Sequence, residues 1–302
     1  MPADNKQQDA HRAPQALVLT GIALTAVAYF LFTLHDAAVK WLVTSFAVWQ
    51  ILFVRSLTIL VGCLLVGGSG LIGKTIRSPV VKPMFLRSFL LTSAWFSFYT
   101  AARDLQLAEL TTIYFAAPII VTILAIIVLG EEVALAGWIA VLTGFAGVFI
   151  ACDPANLGLS WPVALVLFAA FAWALAIVLL RKIALHEKSI VQMMLNNSFF
   201  LAITLVPLVL FWKTPNLSDS LMLVGVGVIG GGAQFMLIEG MKRAPASVLA
   251  PFEYTSLVWA FALGYLVWGD IPRQGVFYGA VLIVAAGLMV IVGQRVSRQA
   301  RA

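Results

Sequence analysis

Charged side chains are scarce in this sequence: 13 acidic and 19 basic residues make up 11% of 302 positions, against about 25% in an ordinary soluble domain. So few charges cannot supply a water-facing surface for a chain that is 62% apolar, with a mean hydropathy of +1.01. A soluble globular fold is excluded. Histidine (3) and cysteine (2) are nearly absent as well. His11 lies in a polar tail, His186 in a loop and His35 at the end of an apolar run, so no base, nucleophile or set of metal ligands converges inside the chain. Enzymatic chemistry, a metal and a cofactor are therefore not expected. Cys63 and Cys152 fall near opposite ends of two different runs, too far apart for a disulfide.

Long apolar runs are what the sequence does have. They cover roughly 15–34, 46–68, 84–102, 107–129, 134–151, 161–180, 190–212, 220–241, 246–268 and 275–293, each near the length needed to cross the hydrocarbon as an α-helix. The first lacks a small-residue cleavage pattern and reads as a span rather than a removable leader. With the N-terminus inside, the inner segments hold Lys6, Arg12, Lys74, Arg77, Lys82, Arg87, Arg181, Lys182, Lys188, Lys242, Arg243, Arg295, Arg298 and Arg301. The outer ones hold only Lys40, Arg103, Lys213 and Arg273, and Arg55 lies within a span. Because basic residues beside spans are retained in the cytoplasm, both termini are expected there. The net charge of +6 is thus topology, not a sign of nucleic-acid binding.

The chain repeats itself. Leu107–Glu131 aligns with Ala246–Asp270 at an offset of 139, pairing Leu110 with Leu249, Gly130 with Gly269 and Glu131 with Asp270. Elsewhere the offset drifts to 141 (Phe32 with Trp173, Lys40 with Arg181) and 142 (Gln50 with Gln192, Arg55 with Asn197, Ser56 with Ser198). Five spans per copy is an odd number, so the second copy must be inverted, with a shared cavity expected near the midplane. The predicted organisation is a cytoplasmic tail (1–16), a first five-helix repeat (17–151), an inverted second repeat (160–293) and a second cytoplasmic tail (294–302).

Arg55-Ser56-Leu57, Ala117-Pro118, Gly130-Glu131, the run Ala250–Ser256 and Gly269-Asp270 together resemble the EamA-type members of the drug/metabolite transporter superfamily, and among them the bacterial exporters of aromatic amino acids and other metabolites. The resemblance spans about residues 17–293. It implies a central cavity formed by helices 1–4 and 6–9, with helices 5 and 10 as scaffold. One position departs from the family pattern, in that Asp270 stands where the family usually has Glu.

Gly68–Thr75 matches the phosphate-cradling pattern GxxxxGK[ST] letter for letter. That loop needs a strand before it and a helix after it, whereas here an apolar helix precedes it and Pro79 and Pro83 interrupt the residues beyond it. ATP binding is not expected, and Lys74 is a topology charge. Ala136-Ala140-Gly144 and Gly275-Gly279-Gly287 place small residues at helical spacing on helices 5 and 10, a pattern for close packing in lipid.

Candidate binding residues come from polar stripes inside lipid-length helices, which are costly unless they face a cavity or another helix. Helix 3 carries Ser88, Thr92, Trp95, Tyr99 and Ala102 on one face; Gly231, Gln234 and Ile238 form the equivalent face of its repeat mate. Helix 4 carries Thr111, Tyr114, Pro118, Thr122 and Ala125, and helix 9 carries Ala250, Glu253, Ser256, Ala260 and Gly264. Trp95, Tyr99 and Tyr114 read either as cavity lining or as packing, and the same choice holds for Trp173 and Tyr254. Arg55 and Glu253 are deep charges. Each reads as a substrate contact, one of either sign for a zwitterion, or as a structural group, and the two are able to neutralise one another. Asn197 and Gln234 supply amides. Glu253 is also placed to exchange a proton for a substrate.

At the helix ends, Asp36 and Lys40 have i,i+4 spacing and form either an outer gate or a plain interfacial pair. Glu239 precedes Arg243 by four residues, as in an ion pair at the inner mouth. Asp104, Glu109, Glu131, Glu132, Asp153, Glu187, Asp219 and Asp270 read as solvated caps. Pro118, Gly231 and Pro251 are hinge candidates. Taken together, the sequence predicts an all-α, ten-span inner-membrane secondary transporter, monomeric and with no nucleic-acid partner. It exports aromatic or neutral amino acids and related metabolites by alternating access. The alternatives are import of S-adenosylmethionine or another nucleoside-like metabolite, and efflux of amphipathic drugs.

Overall fold

The computed structural model describes residues 3–68, 70–129, 135–152, 160–183, 187–243 and 255–299. Among these residues every regular element is an α-helix, as expected where backbone polar groups must satisfy one another without water. They are α1 (Ala3–Leu42), α2 (Val48–Gly67), α3 (Gly70–Ile76), α4 (Val81–Ala101), α5 (Leu107–Tyr114) and α6 (Ala116–Leu129). Beyond these come α7 (Leu135–Cys152), α8 (Trp161–Ile183), α9 (Ser189–Phe211), α10 (Leu217–Arg243), α11 (Thr255–Trp268) and α12 (Gln274–Gln299). Five described stretches are long and apolar enough to cross a membrane: Leu19–Leu42, Val48–Gly67, Trp161–Leu179, Ser189–Phe211 and Leu217–Arg243.

The predicted runs and the helices agree to within a few residues in most places, and three differences matter. First, α1 continues to Leu42, eight residues past the apolar run, because the polar groups that end the run have partners within the bundle. Second, α4 begins at Val81, three residues before the apolar run, and Arg87, expected as an inner-side charge, lies in its second turn, 8% exposed. Third, the run 107–129 is two helices. Pro118 has no N–H to donate to the Tyr114 carbonyl, and the chain breaks at Phe115, whose N–H reaches back to the Thr111 and Thr112 carbonyls at 3.1 and 3.2 Å.

Large apolar side chains cover the outside, as at Leu65, Val66, Val209 and Leu266, while small residues inside let certain helices approach closely. Ala169, Ala172 and Ala176 make the buried stripe that α8 offers to the bundle. On α10 the small residues are glycines, and a Cβ at Gly227 would meet Thr58, at Gly231 Ile59, and at Gly230 both His35 (2.8 Å) and Arg55 Nε (3.0 Å). Gly240 leaves no room beside Thr25 and the Gly21 carbonyl. With no hydrophobic drive between helices in lipid, such close approach supplies the packing. The most extensive helix contacts are α7 with α12, α1 with α10, α4 with α8, and α2 with α9. The small residue Gly275 of α12 lies beside α7, where its Cβ would stand 3.1 Å from the Ile150 carbonyl oxygen.

Candidate functional site

A cavity of about 80 Å³, room for a few waters, opens between α1, α4, α5, α8 and α11. Helix α1 contributes Tyr29, Phe32, Thr33 and Asp36, and α4 contributes Ala94, Trp95, Phe98 and Tyr99. Thr111, Tyr114 and Phe115 come from α5 and the break after it, Trp173 from α8 and Ser256 from α11. The rings brace one another: Trp95 and Tyr99 have centroids 5.9 Å apart, Phe98 meets Tyr114 edge-on at 5.2 Å, and Tyr114 meets Trp173 at 6.3 Å. Edge and tilted contacts of this kind are favoured ring–ring geometries.

Asp36 is the one charged residue on that wall among the described residues. Its carboxylate is joined to a buried chain of donors. The Arg55 Nε–H donates to His35 Nε2 at 3.1 Å, which makes Nε2 the acceptor and leaves the imidazole proton on Nδ1. Nδ1 then donates to Asp36 Oδ1 at 3.1 Å, and the Tyr99 hydroxyl stands 3.4 Å from the same oxygen. The Arg55 guanidinium lies over the face of Trp95, 3.7 Å from the ring centroid. Asp36 and His35 are partly exposed and fully buried, respectively. A carboxylate flanked by ring faces is suited to a soft or organic cation.

Of the sequence-predicted residues, Trp95, Tyr99, Tyr114 and Trp173 meet in this one cavity and Asp36 joins them. Arg55 is placed behind Trp95 rather than on the wall. Asn197 lies apart from it, donating its Nδ2 to the Met193 carbonyl at 2.8 Å, and Gln234 lies on α10 with its Oε1 buried and unpartnered. Glu253, Tyr254 and Pro251 fall outside the described residues, as do Glu131 and Glu132. Gly231 sits in an unbroken α10 against Ile59, where its small size serves close packing. Pro118 stands in the first turn of α6, just past the break at Phe115.

The expected Asp36–Lys40 pair is not formed. Lys40 instead donates to the Leu105 carbonyl at 2.7 Å and faces Asp270 at 3.8 Å, because the turn after α4 and the end of α11 offer it acceptors closer than the next helical turn does. Glu109 is not a solvated cap either: it is buried and bridges Arg273 at 2.8 Å. These ties, with Gln50 bonded twice to the Lys213 backbone (2.7 and 3.0 Å), bind the bundle together at this end. At the other end, Glu239 pairs with Arg243 as the spacing predicts, and also accepts from Lys242 and Ser189.

Sequence reasoning missed Tyr29, Thr33, Phe98 and Phe115 as wall residues. For α1 a signal was present, since Tyr29, Thr33 and Asp36 recur at spacings of 4 and 3 on one face. Phe98 and Phe115 are apolar among apolar neighbours and carry no such contrast. Among the described residues no group of three or more His, Cys, Asp or Glu is positioned to hold a metal.

Comparison with known proteins gives this arrangement a context. The pattern of the EamA-like transporter family matches the chain twice, over residues 19–152 and 160–292. The chain belongs to that family. It is a transporter and not an enzyme, and a multi-pass protein of the bacterial inner-membrane type. An S-adenosylmethionine uptake transporter of Rickettsia prowazekii (strain Madrid E) is 25% identical over 94% of this chain and 96% of its own. A riboflavin transporter of Vibrio cholerae is 32% identical over 55% of this chain and 56% of its own. Among the solved structures that share the fold, a crystal structure has a TM-score of 0.67 over 93% of this chain and 98% of that one at 18% identity.

Proposed function

We propose that this transporter takes up a small cationic metabolite bearing a flat ring system, with S-adenosylmethionine as the representative substrate. The observation that carries the reading is the Asp36 carboxylate set in a wall otherwise made of aromatic and small side chains. Ring faces and a carboxylate attract a sulfonium or ammonium centre, and the same rings stack on a purine. The uptake transporters among the relatives point the same way. Export of aromatic amino acids, the reading the sequence favoured, draws on the same rings and stands as the second reading.

The transport cycle in this reading is alternating access by two inverted five-helix repeats, 17–151 and 160–293, in a ten-span monomer with both termini cytoplasmic. The helix contacts support it. Exchanging the repeats turns the α1–α10 contact into α8–α4 and the α2–α10 contact into α9–α4, and all four contacts are present. Helices α2 with α9 and α7 with α12 each pair with their own counterpart, as elements on a two-fold axis do. Pro118 at the α5–α6 break bends the helix beside the cavity. Rocking the repeats widens a cavity that in the present state has room for a few waters.

Counterflow in proteoliposomes preloaded with S-adenosylmethionine tests the reading, with phenylalanine, riboflavin and a cationic dye as competitors. The expected result is accumulation of labelled S-adenosylmethionine that the Asp36→Asn variant loses. Accumulation of phenylalanine but not S-adenosylmethionine would overturn it in favour of the amino-acid reading.

A further inference from the structure

Arg55 is 1% exposed inside the bundle, and both terminal nitrogens of its guanidinium, Nη1 and Nη2, are buried without a hydrogen-bond partner. No carboxylate lies within ion-pair distance of it among the described residues. A buried cation in this condition is costly, and within a membrane span an ionisable group is a functional candidate by default. The surroundings are built around it. Its Nε is held by His35, one face is covered by the Trp95 ring, and Gly230 packs so closely that a methyl group there would collide with both His35 and Arg55. What the site lacks is an acceptor for the two Nη groups.

The distance to the cavity carboxylate is set by one side chain. Between Arg55 and Asp36 stands only the His35 imidazole, bonded at 3.1 Å on each side. The two charges are therefore separated by at most two hydrogen bonds and the width of one imidazole. In S-adenosylmethionine the sulfonium and the carboxylate are joined through three carbons, so each end reaches its own partner across such a gap. Trp95 belongs both to the cavity wall and to the Arg55 stack, so its ring is the partition between the cavity and the guanidinium.

We infer that Nη1 and Nη2 of Arg55 form the carboxylate subsite of the transported metabolite, uncovered when the Trp95 ring turns aside. This rests on the cationic-metabolite reading and narrows it. The substrate carries a carboxylate a few carbons from its sulfonium, as S-adenosylmethionine does, and a sulfonium without that carboxylate is a poor substitute. Arginine suits the role because its planar fork binds a carboxylate with two parallel hydrogen bonds.

The test compares S-adenosylmethionine with its decarboxylated analogue, which keeps the sulfonium and the purine and loses only the carboxylate. Equilibrium binding is measured on the purified protein in detergent. Wild type is expected to prefer S-adenosylmethionine by roughly 10- to 100-fold, the range for a hydrogen-bonded charged group. Arg55→Gln should reduce that preference to near unity while leaving affinity for the analogue in place, and Arg55→Lys should restore part of it. Equal wild-type affinity for the two ligands overturns the inference whatever the variants do, which keeps the test valid if Arg55→Gln fails to fold. Loss of both affinities together in a folded Arg55→Gln variant also overturns it, by assigning Arg55 a structural role. The parent reading fails separately: it requires preference for the sulfonium over the uncharged thioether, which this ligand pair does not probe.

Discussion

Along the inward face of α4, Ser88 and Thr92 are buried with their hydroxyls satisfied, whereas Trp95 and Tyr99, the next members of the same stripe, border the cavity. Ser88 donates to the Met84 carbonyl at 2.7 Å and stands 3.2 Å from Asn196 Oδ1, and Thr92 donates to the Ser88 carbonyl at 2.8 Å. Small hydroxyls return their bonds to their own helix and let α9 close against them. The rings are too large for that and hold α1, α5 and α8 apart instead. One periodic stripe thus serves helix packing at one end and ligand access at the other, and residue size makes the division.

Changes at the ring end should show in transport. Trp95→Ala is expected to lower transport per folded molecule by about tenfold or more, since it removes a ring that braces Tyr99 and faces the cavity. Reconstituted uptake normalised to purified monodisperse protein is the measurement. Normal turnover with poor recovery would move Trp95 to the packing class and erase the distinction. At the hydroxyl end the effect should be on stability. Asn196→Leu strips an acceptor from Arg87 (3.4 Å) and Ser88, which should destabilise the fold by about 1–3 kcal/mol and leave turnover near wild type. A thermal unfolding midpoint read beside uptake checks both. The smallest change is expected for Ser88→Ala, about 1 kcal/mol or less, because the Met84 carbonyl stays inside a regular helix.

Much of this was legible from the letters. Apolar run lengths gave the helices, and the 3.6-residue period on α4 gave Trp95 and Tyr99. The glycines of α10 were visible too, but their meaning was not. Gly231 reads as a bending point in a sequence and acts as a packing surface once Ile59 lies against it. Partnerships across the bundle were the least accessible. Lys40 has an acceptor four residues away and uses ones in the turns that follow α4 and α11, and Glu109 looks like a solvated cap until Arg273 reaches it. Such choices depend on which helix ends meet, and spacing within one helix carries no record of them. The chain from Arg55 through His35 to Asp36 is of the same kind. Arg55 and Asp36 stood out separately, and their link through His35 required α1 and α2 to meet beside Gly230 of α10.

Everything proposed for this transporter depends on Asp36 selecting a positive charge within a ring-lined cavity. Binding of S-adenosylmethionine and S-adenosylhomocysteine isolates that selection, because the two differ by one methyl group and by the sulfonium charge that the methyl creates. Titration calorimetry on wild type and Asp36→Asn is the direct measurement. Wild type is expected to prefer S-adenosylmethionine by roughly tenfold or more, the strength of a partly desolvated cation's contacts with a carboxylate and ring faces, and Asp36→Asn to bind the two alike. Equal binding of both ligands by wild type, or an undiminished preference in Asp36→Asn, would contradict it.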